Sequence, residues 1–182
     1  MKLHHVVMGA LLAGCASGGS SAPSVGPREV TTRVETAEGT VDLRSTRSDP
    51  TAEFAISASP DQVWRALAVV YDELKVHVTT LDTDNRRIGI ENARIRSRLG
   101  GVRLSKYLAC GERLGQQVAD SDDIRLTLLT QVVPNAGGGS TLHTLVDARA
   151  KQTGSGGDWI NCATTGELEH HIVELVRKHA TS

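Results

Sequence analysis

Few side chains in this sequence are of types that could do chemistry. Cys110 stands in the stretch Tyr107 to Gly115, YLACGERLG, just ahead of a glycine. A cysteine there can be a nucleophile, a metal ligand or half of a disulfide. A nucleophilic thiolate needs an adjacent base, and the sequence places none beside it. A zinc site would draw on Cys110, Cys162 and His143, His170, His171 or His179. No C-x-x-C or H-x-x-x-H spacing gathers them, and the adjacent His170 and His171 would diverge by about 100° on a helix. Asp120, Asp122 and Asp123 could coordinate calcium, or form an acidic turn in solvent. No G-x-S-x-G elbow or Walker A loop occurs, and the glycine runs at 137–139 and 154–157 read as hairpin tips.

The remaining polar pattern is arginine at alternate positions, Arg94, Arg96 and Arg98. On a strand these share one face. Arg103 would lie opposite Arg98 across a Gly100-Gly101 hairpin turn. Like charges facing each other are unfavourable unless solvated or neutralised. The strip therefore either meets an anionic partner (phospholipid or lipopolysaccharide headgroups, or an acidic protein) or is an ordinary exposed face salt-bridged to nearby Asp and Glu.

The elements that must position these residues follow from patterning. The chain has 182 residues, a formal charge of −1 and 3% aromatic residues. That balance points away from nucleic acid, which calls for basic surfaces and stacking rings. Phe54 and Ile56 alternate as on a strand. Ser59-Pro60-Asp61-Gln62 reads as a capping box, with proline at the first helical position. Val63, Leu67, Val70 and Leu74 then recur at helical spacing. Strands are expected over 75–81, 87–91, 94–99, 102–109, 123–133 and 140–152. Thr164-Thr165-Gly166-Glu167 reads as a second capping box, followed by a stripe of Leu168, Ile172, Leu175, Val176 and His179. The expected fold class is α+β: an antiparallel sheet with one N-terminal-side helix and one C-terminal helix on one face. The domain is placed at 51–182. Residues 29–50, polar and threonine-rich, are expected to form an edge strand or a loose segment.

The N-terminus reads as an address. Lys2 precedes a short apolar run, Val6 to Ala13, in the pattern of a signal peptide over residues 1–14. Leu12-Ala13-Gly14-Cys15 resembles the lipobox of bacterial lipoproteins. That resemblance implies cleavage before Cys15, acylation of Cys15 and a membrane anchor at the start of the mature chain. Two or more acyl chains hold a protein on a bilayer stably. It also implies a periplasmic or outer-side location, and Ala16, where an aspartate tends to retain lipoproteins in the inner membrane, tips the reading toward the outer membrane. Residues 15–50 would be the lipidated N-terminus and a Gly/Ser/Pro-rich tether. With Cys15 given to lipid, Cys110 and Cys162 remain, and an even pair outside the cytoplasm suggests a disulfide. Two separate buried thiols are the alternative.

The order of elements, with ISASPDQVWRAL from Ile56 to Leu67, resembles helix-grip domains. One such group is the lipoprotein subunit of the outer-membrane β-barrel assembly machinery. A more distant one is the START-like superfamily, whose members hold apolar ligands between the sheet and a C-terminal helix. Neither resemblance carries over a catalytic motif or a cofactor. The first implies a non-enzymatic envelope protein of interaction or assembly type, with envelope proteins or anionic lipid as partners. The second implies a carrier with an apolar cavity. Low aromatic content and only two expected helices favour a filled interior.

Overall fold

The computed structural model describes residues 28–36, 39–47, 51–154 and 157–181. Cys15, the lipobox and the Gly/Ser/Pro-rich segment lie outside them. Two strands, β1 (Arg28–Thr36) and β2 (Gly39–Arg47), form an antiparallel ladder of their own. The segment expected to supply an edge strand or stay loose is thus a hairpin that pairs with itself.

The sheet begins with β3 (Thr51–Ile56). Helix α1 (Pro60–Glu73) follows, capped as its sequence requires. The Ser59 hydroxyl accepts from the Gln62 amide at 3.4 Å, and the Gln62 side chain accepts from the Ser59 amide at 3.0 Å. Val63, Leu67, Val70 and Leu74 are all buried, at 1% exposure or less. Next come β4 (Thr80–Asp82), β5 (Arg87–Ile95), the short pair β6 (Arg98–Leu99) and β7 (Val102–Arg103), and the helical turn α2 (Leu104–Tyr107). Strand β8 (Leu108–Ala109), the small hairpin β9 (Glu112–Arg113) and β10 (Gln116–Gln117), and the turn α3 (Val118–Ser121) lead into the long strands. These are β11 (Asp123–Pro134) and β12 (Ser140–Lys151). Strand β13 (Ile160–Thr164) and helix α4 (Glu167–Ala180) close the fold.

Seven strands make one antiparallel sheet in the order β4-β5-β11-β12. The far edge of β12 is shared: β3 pairs along Ser140 to Leu145, and β13 along Ala148 to Ala150. Strand β8 extends the sheet beyond β13. Helices α1 and α4 pack against each other and on the same face of the sheet. The expected α+β class is the observed one. Inward residues of β11 (Ile124, Leu126, Leu128) and β12 (Leu142, Val146, Ala148) meet the helix stripes in one core. Tyr71 joins helix to sheet, its hydroxyl donating to the Ile88 carbonyl at 3.2 Å and meeting the Thr130 hydroxyl at 2.9 Å. Burial holds its pKa well above the ordinary tyrosine value.

Four local expectations are corrected. The strand at 75–81 is mostly loop: Lys75 sits in the left-handed region at φ 54°, and pairing begins only at Thr80. The strand expected at 94–99 is divided. Strand β5 runs on through Ile95, and Ser97, at φ 52°, turns the chain before β6. The strand expected at 102–109 is interrupted by α2, which buries Leu104 and Tyr107 as a single helical turn can and a strand cannot. The second capping box is absent. Helix α4 starts after Gly166, at φ 85°, and the Thr164 hydroxyl accepts from the Gly166 amide at 3.1 Å instead.

A bulge in β5 sets the phase of its side chains. Leu128 pairs with Ile90 but Leu126 with Ala93, so Glu91 and Asn92 together face Thr127. Asn92 takes φ 50°, and its amide donates to the Thr127 hydroxyl at 3.0 Å. Ile88 and Ile90 point inward before the bulge, and Ala93 and Ile95 after it. Beside the bulge, a Cβ on Gly89 would lie 1.9 Å from the Leu128 carbonyl oxygen. Gly89→Ala should therefore cost about 1–3 kcal/mol of stability, measured by urea unfolding; an unchanged midpoint would show that β5 can withdraw from β11 there.

Candidate functional site

The cysteine pair resolves the three roles open to Cys110. Its sulfur is bonded to that of Cys162, with Cα atoms 4.3 Å apart and a sequence separation of 52. Cys162 lies in the middle of β13, and Cys110 directly follows β8, whose Ala109 pairs with Ala163. Gly111, at φ 84°, then turns the chain away. The bridge fastens the sheet's outermost strand next to the start of α4. The histidines considered for zinc are dispersed. His143 meets Glu53 at 3.2 Å and His179 meets Glu73 at 2.9 Å, while His170 lies edge-on to Phe54 and His171 stacks near Tyr107.

The three aspartates are separately engaged. Asp120 accepts from the Ser105 amide at 2.9 Å and its hydroxyl at 2.7 Å, with Arg103 at 3.8 Å. Asp122, 7% exposed, accepts from Arg113 at 2.8 Å. Asp123 accepts from Arg94 at 2.8 Å and from the Arg96 Nε at 3.1 Å. The Arg94 hydrogen bonds, and then the charges of both arginines, hold its carboxyl below the usual carboxylate range.

The arginine strip is thereby broken up. Arg94 and Arg96 converge on one carboxylate and Arg103 leans on Asp120. Arg98 and Arg103 do face each other across the Gly100-Gly101 turn, as the sequence predicts. The Arg98 guanidinium donates to the Gly101 carbonyl at 2.6 Å, and both arginines border an open cleft of about 460 Å³ with Gln116 and Ser121.

A different basic arrangement emerges from sheet register. Arg125 on β11 lies directly opposite Arg94 on β5 and directly opposite Arg149 on β12, and Arg149 lies opposite Asn161 on β13. All are on the face away from the helices, because their neighbours Ile124, Leu126, Ala148 and Ala150 are fully buried on the other. The β5 bulge makes this possible; without its extra residue Arg94 would be turned toward the core. Arg125 donates to the Asn92 carbonyl at 3.0 Å and lies 5.8 Å from the centre of the Trp159 ring. Among the described residues, neither Arg125 nor Arg149 has a carboxylate within ion-pair distance. Trp159 is 40% exposed. Asn92, Arg125, Thr127, Asp147 and Arg149 border a shallow depression of about 290 Å³.

Sequence reading missed Arg125 and Arg149 because each is isolated in its own strand. The signal was the hairpin itself: the Asn135 to Gly139 turn joins two alternating runs, and counting back from it pairs the two arginines.

A buried carboxylate was also missed. Glu169, in the first turn of α4, has no exposed surface. Its Oε1 accepts from the Thr164 hydroxyl at 2.7 Å, and its Oε2 has no hydrogen-bond partner among the described residues. Burial raises its pKa above the ordinary 4.5, against the lowering effect of the Thr164 bond.

No protein-family model matches this chain, and a search of curated proteins finds no match.

Two measurements follow from this geometry. Replacing both Cys110 and Cys162 with serine should lower stability by about 2–5 kcal/mol; equal unfolding midpoints for the variant and the oxidised parent would mean that the bridge carries no stability. For Glu169 the sign is set by its raised pKa. Its stabilising effect is complete below the unfolded value near 4.5 and is lost as pH rises through the folded value. Glu169→Gln should thus be more stable than the parent at pH 7, by about 1 kcal/mol. The difference should vanish in acid, and a pH-independent difference in denaturant titrations would contradict this account.

Proposed function

We propose that this chain is a lipid-anchored protein of the bacterial cell envelope that works by binding other envelope components, not by catalysis. The observation that carries the reading is the packing under α4. Leu168, Ile172, Val173 and Val176 are each at most 1% exposed and share one core with the sheet and α1. A carrier of the START-like kind would need that space for its ligand. Clefts on the described surface lie at the Arg98 and Arg103 hairpin, on the outer face of the sheet, between α1 and the end of α4, and where the last turn of α4 meets the end of β3, all outside the Leu168 to Val176 stripe.

Two further observations support the location. Leu12-Ala13-Gly14-Cys15 has the residues that lipoprotein processing uses, and a structural disulfide belongs to an oxidising compartment. The likeness of Ile56 to Leu67 to the assembly-machinery lipoprotein points to the same class.

Mass spectrometry of the mature protein should find an N-terminus at Cys15 carrying acyl chains. An unmodified Cys15 would remove the anchor from the account. Organic extraction of the purified, detergent-exchanged protein should yield no stoichiometric lipid beyond those covalent chains. One extracted lipid per chain would replace the interaction reading with the carrier.

A further inference from the structure

The outer face of the sheet sets three arginines directly opposite one another on adjacent strands. Adjacent strands lie about 4.8 Å apart, so Arg94, Arg125 and Arg149 form a row about 10 Å long. Like charges directly opposite in neighbouring strands repel. Asp123 neutralises one end of the row, through Arg94. Arg125 and Arg149 share their face with Asp147 but have no carboxylate within ion-pair distance among the described residues, and Lys151, opposite Asp123, adds a further positive charge to the same face. Arg125 is also held in place, by the Asn92 carbonyl and the Trp159 ring. Its guanidinium is stationed, with little rotamer freedom left to lose on binding. Tryptophan and arginine in contact at a partly exposed position are the side chains that most often dominate protein–protein association.

The geometry points to the Arg125 and Arg149 end of this row, with Trp159 and Asn161 beside it, as the docking surface for an acidic segment of another protein. A bilayer of anionic lipid is the poorer match. Asp147 is exposed, lies on the same strand and face as Arg149, and has no cation within ion-pair distance among the described residues. A uniformly negative surface would be repelled at that point, whereas a protein segment can place a basic group there and carboxylates on either side. Strand spacing sets the spacing of those carboxylates at about 5 Å, the separation of i and i+4 positions on a helix.

This inference rests on the interaction reading above and is tested separately from it. A photo-crosslinking amino acid replaces Asn161, which is exposed at the end of the row, in the full lipidated chain within native envelopes. The control position is Val69, exposed on α1. The expected result is a protein adduct from position 161 and none from 69, with the attached peptide rich in Asp and Glu by mass spectrometry. Arg125→Glu with Arg149→Glu should lower its yield at least about tenfold, Arg125→Lys with Arg149→Lys should retain most of it, and about 0.5 M salt should weaken it. An adduct with lipid alone, one with a non-acidic peptide, one indifferent to charge reversal, or none at all would overturn the proposal. Loss of the anchor or discovery of a bound lipid would defeat the earlier reading without altering which of these adducts forms.

Discussion

Twelve residues of β11 lie against twelve of β12 in unbroken antiparallel register, and both faces of the domain are laid out from that pairing. Alternation sends Ile124, Leu126 and Leu128 to the helix side, where they meet Leu142, Val146 and Ala148 and the stripes of α1 and α4. The same alternation sends Asp123, Arg125 and Thr127 outward, beside Lys151, Arg149 and Asp147. A slip of one residue would exchange the two sets. The core that holds the helices and the charged row on the far side are therefore consequences of one constraint, and neither can change without the other.

The additions at the sheet's margins serve that arrangement. The bulge at Glu91 and Asn92 corrects the phase of β5, so that Ala93 and Ile95 stay in the core and Arg94 joins the outer row. The disulfide ties β13 to the chain leaving β8, and β13 carries Asn161 beside Arg149 on one side and leads into α4 on the other. Glu169, buried at the start of α4, accepts from the Thr164 hydroxyl on one carboxyl oxygen, and burial disfavours its charged form. Its Oε2 is the one buried carboxylate oxygen without a hydrogen-bond partner among the described residues, close in sequence to the strand that the bridge secures.

Much of this was legible in residue order. The capping box at Ser59, the helical stripes, the two long alternating strands and the pairing of Cys110 with Cys162 each depend on local pattern or on a short inventory. What failed depended on backbone states that side-chain pattern does not report. Lys75 and Ser97 take left-handed conformations that bulky or polar residues rarely adopt, and those turns shorten one expected strand and divide another. Alternating arginines looked like a single strip, yet Arg94 belongs to β5, Arg96 to a turn and Arg98 to a separate hairpin. The row that does form is composed of residues more than twenty apart in sequence, and only register brings them together. The phase slip from Ile90 to Ala93 was visible and marks the bulge in hindsight.

We propose a domain whose interior is filled and whose outer sheet face docks a partner. Arginine-selective labelling with phenylglyoxal, read by mass spectrometry, tests it directly when the protein in native envelopes is compared with the purified protein. Arg149 should be labelled several-fold more slowly in the envelope, while Arg65, exposed on α1, should react equally in both. Equal labelling of Arg149 in the two preparations would contradict the account.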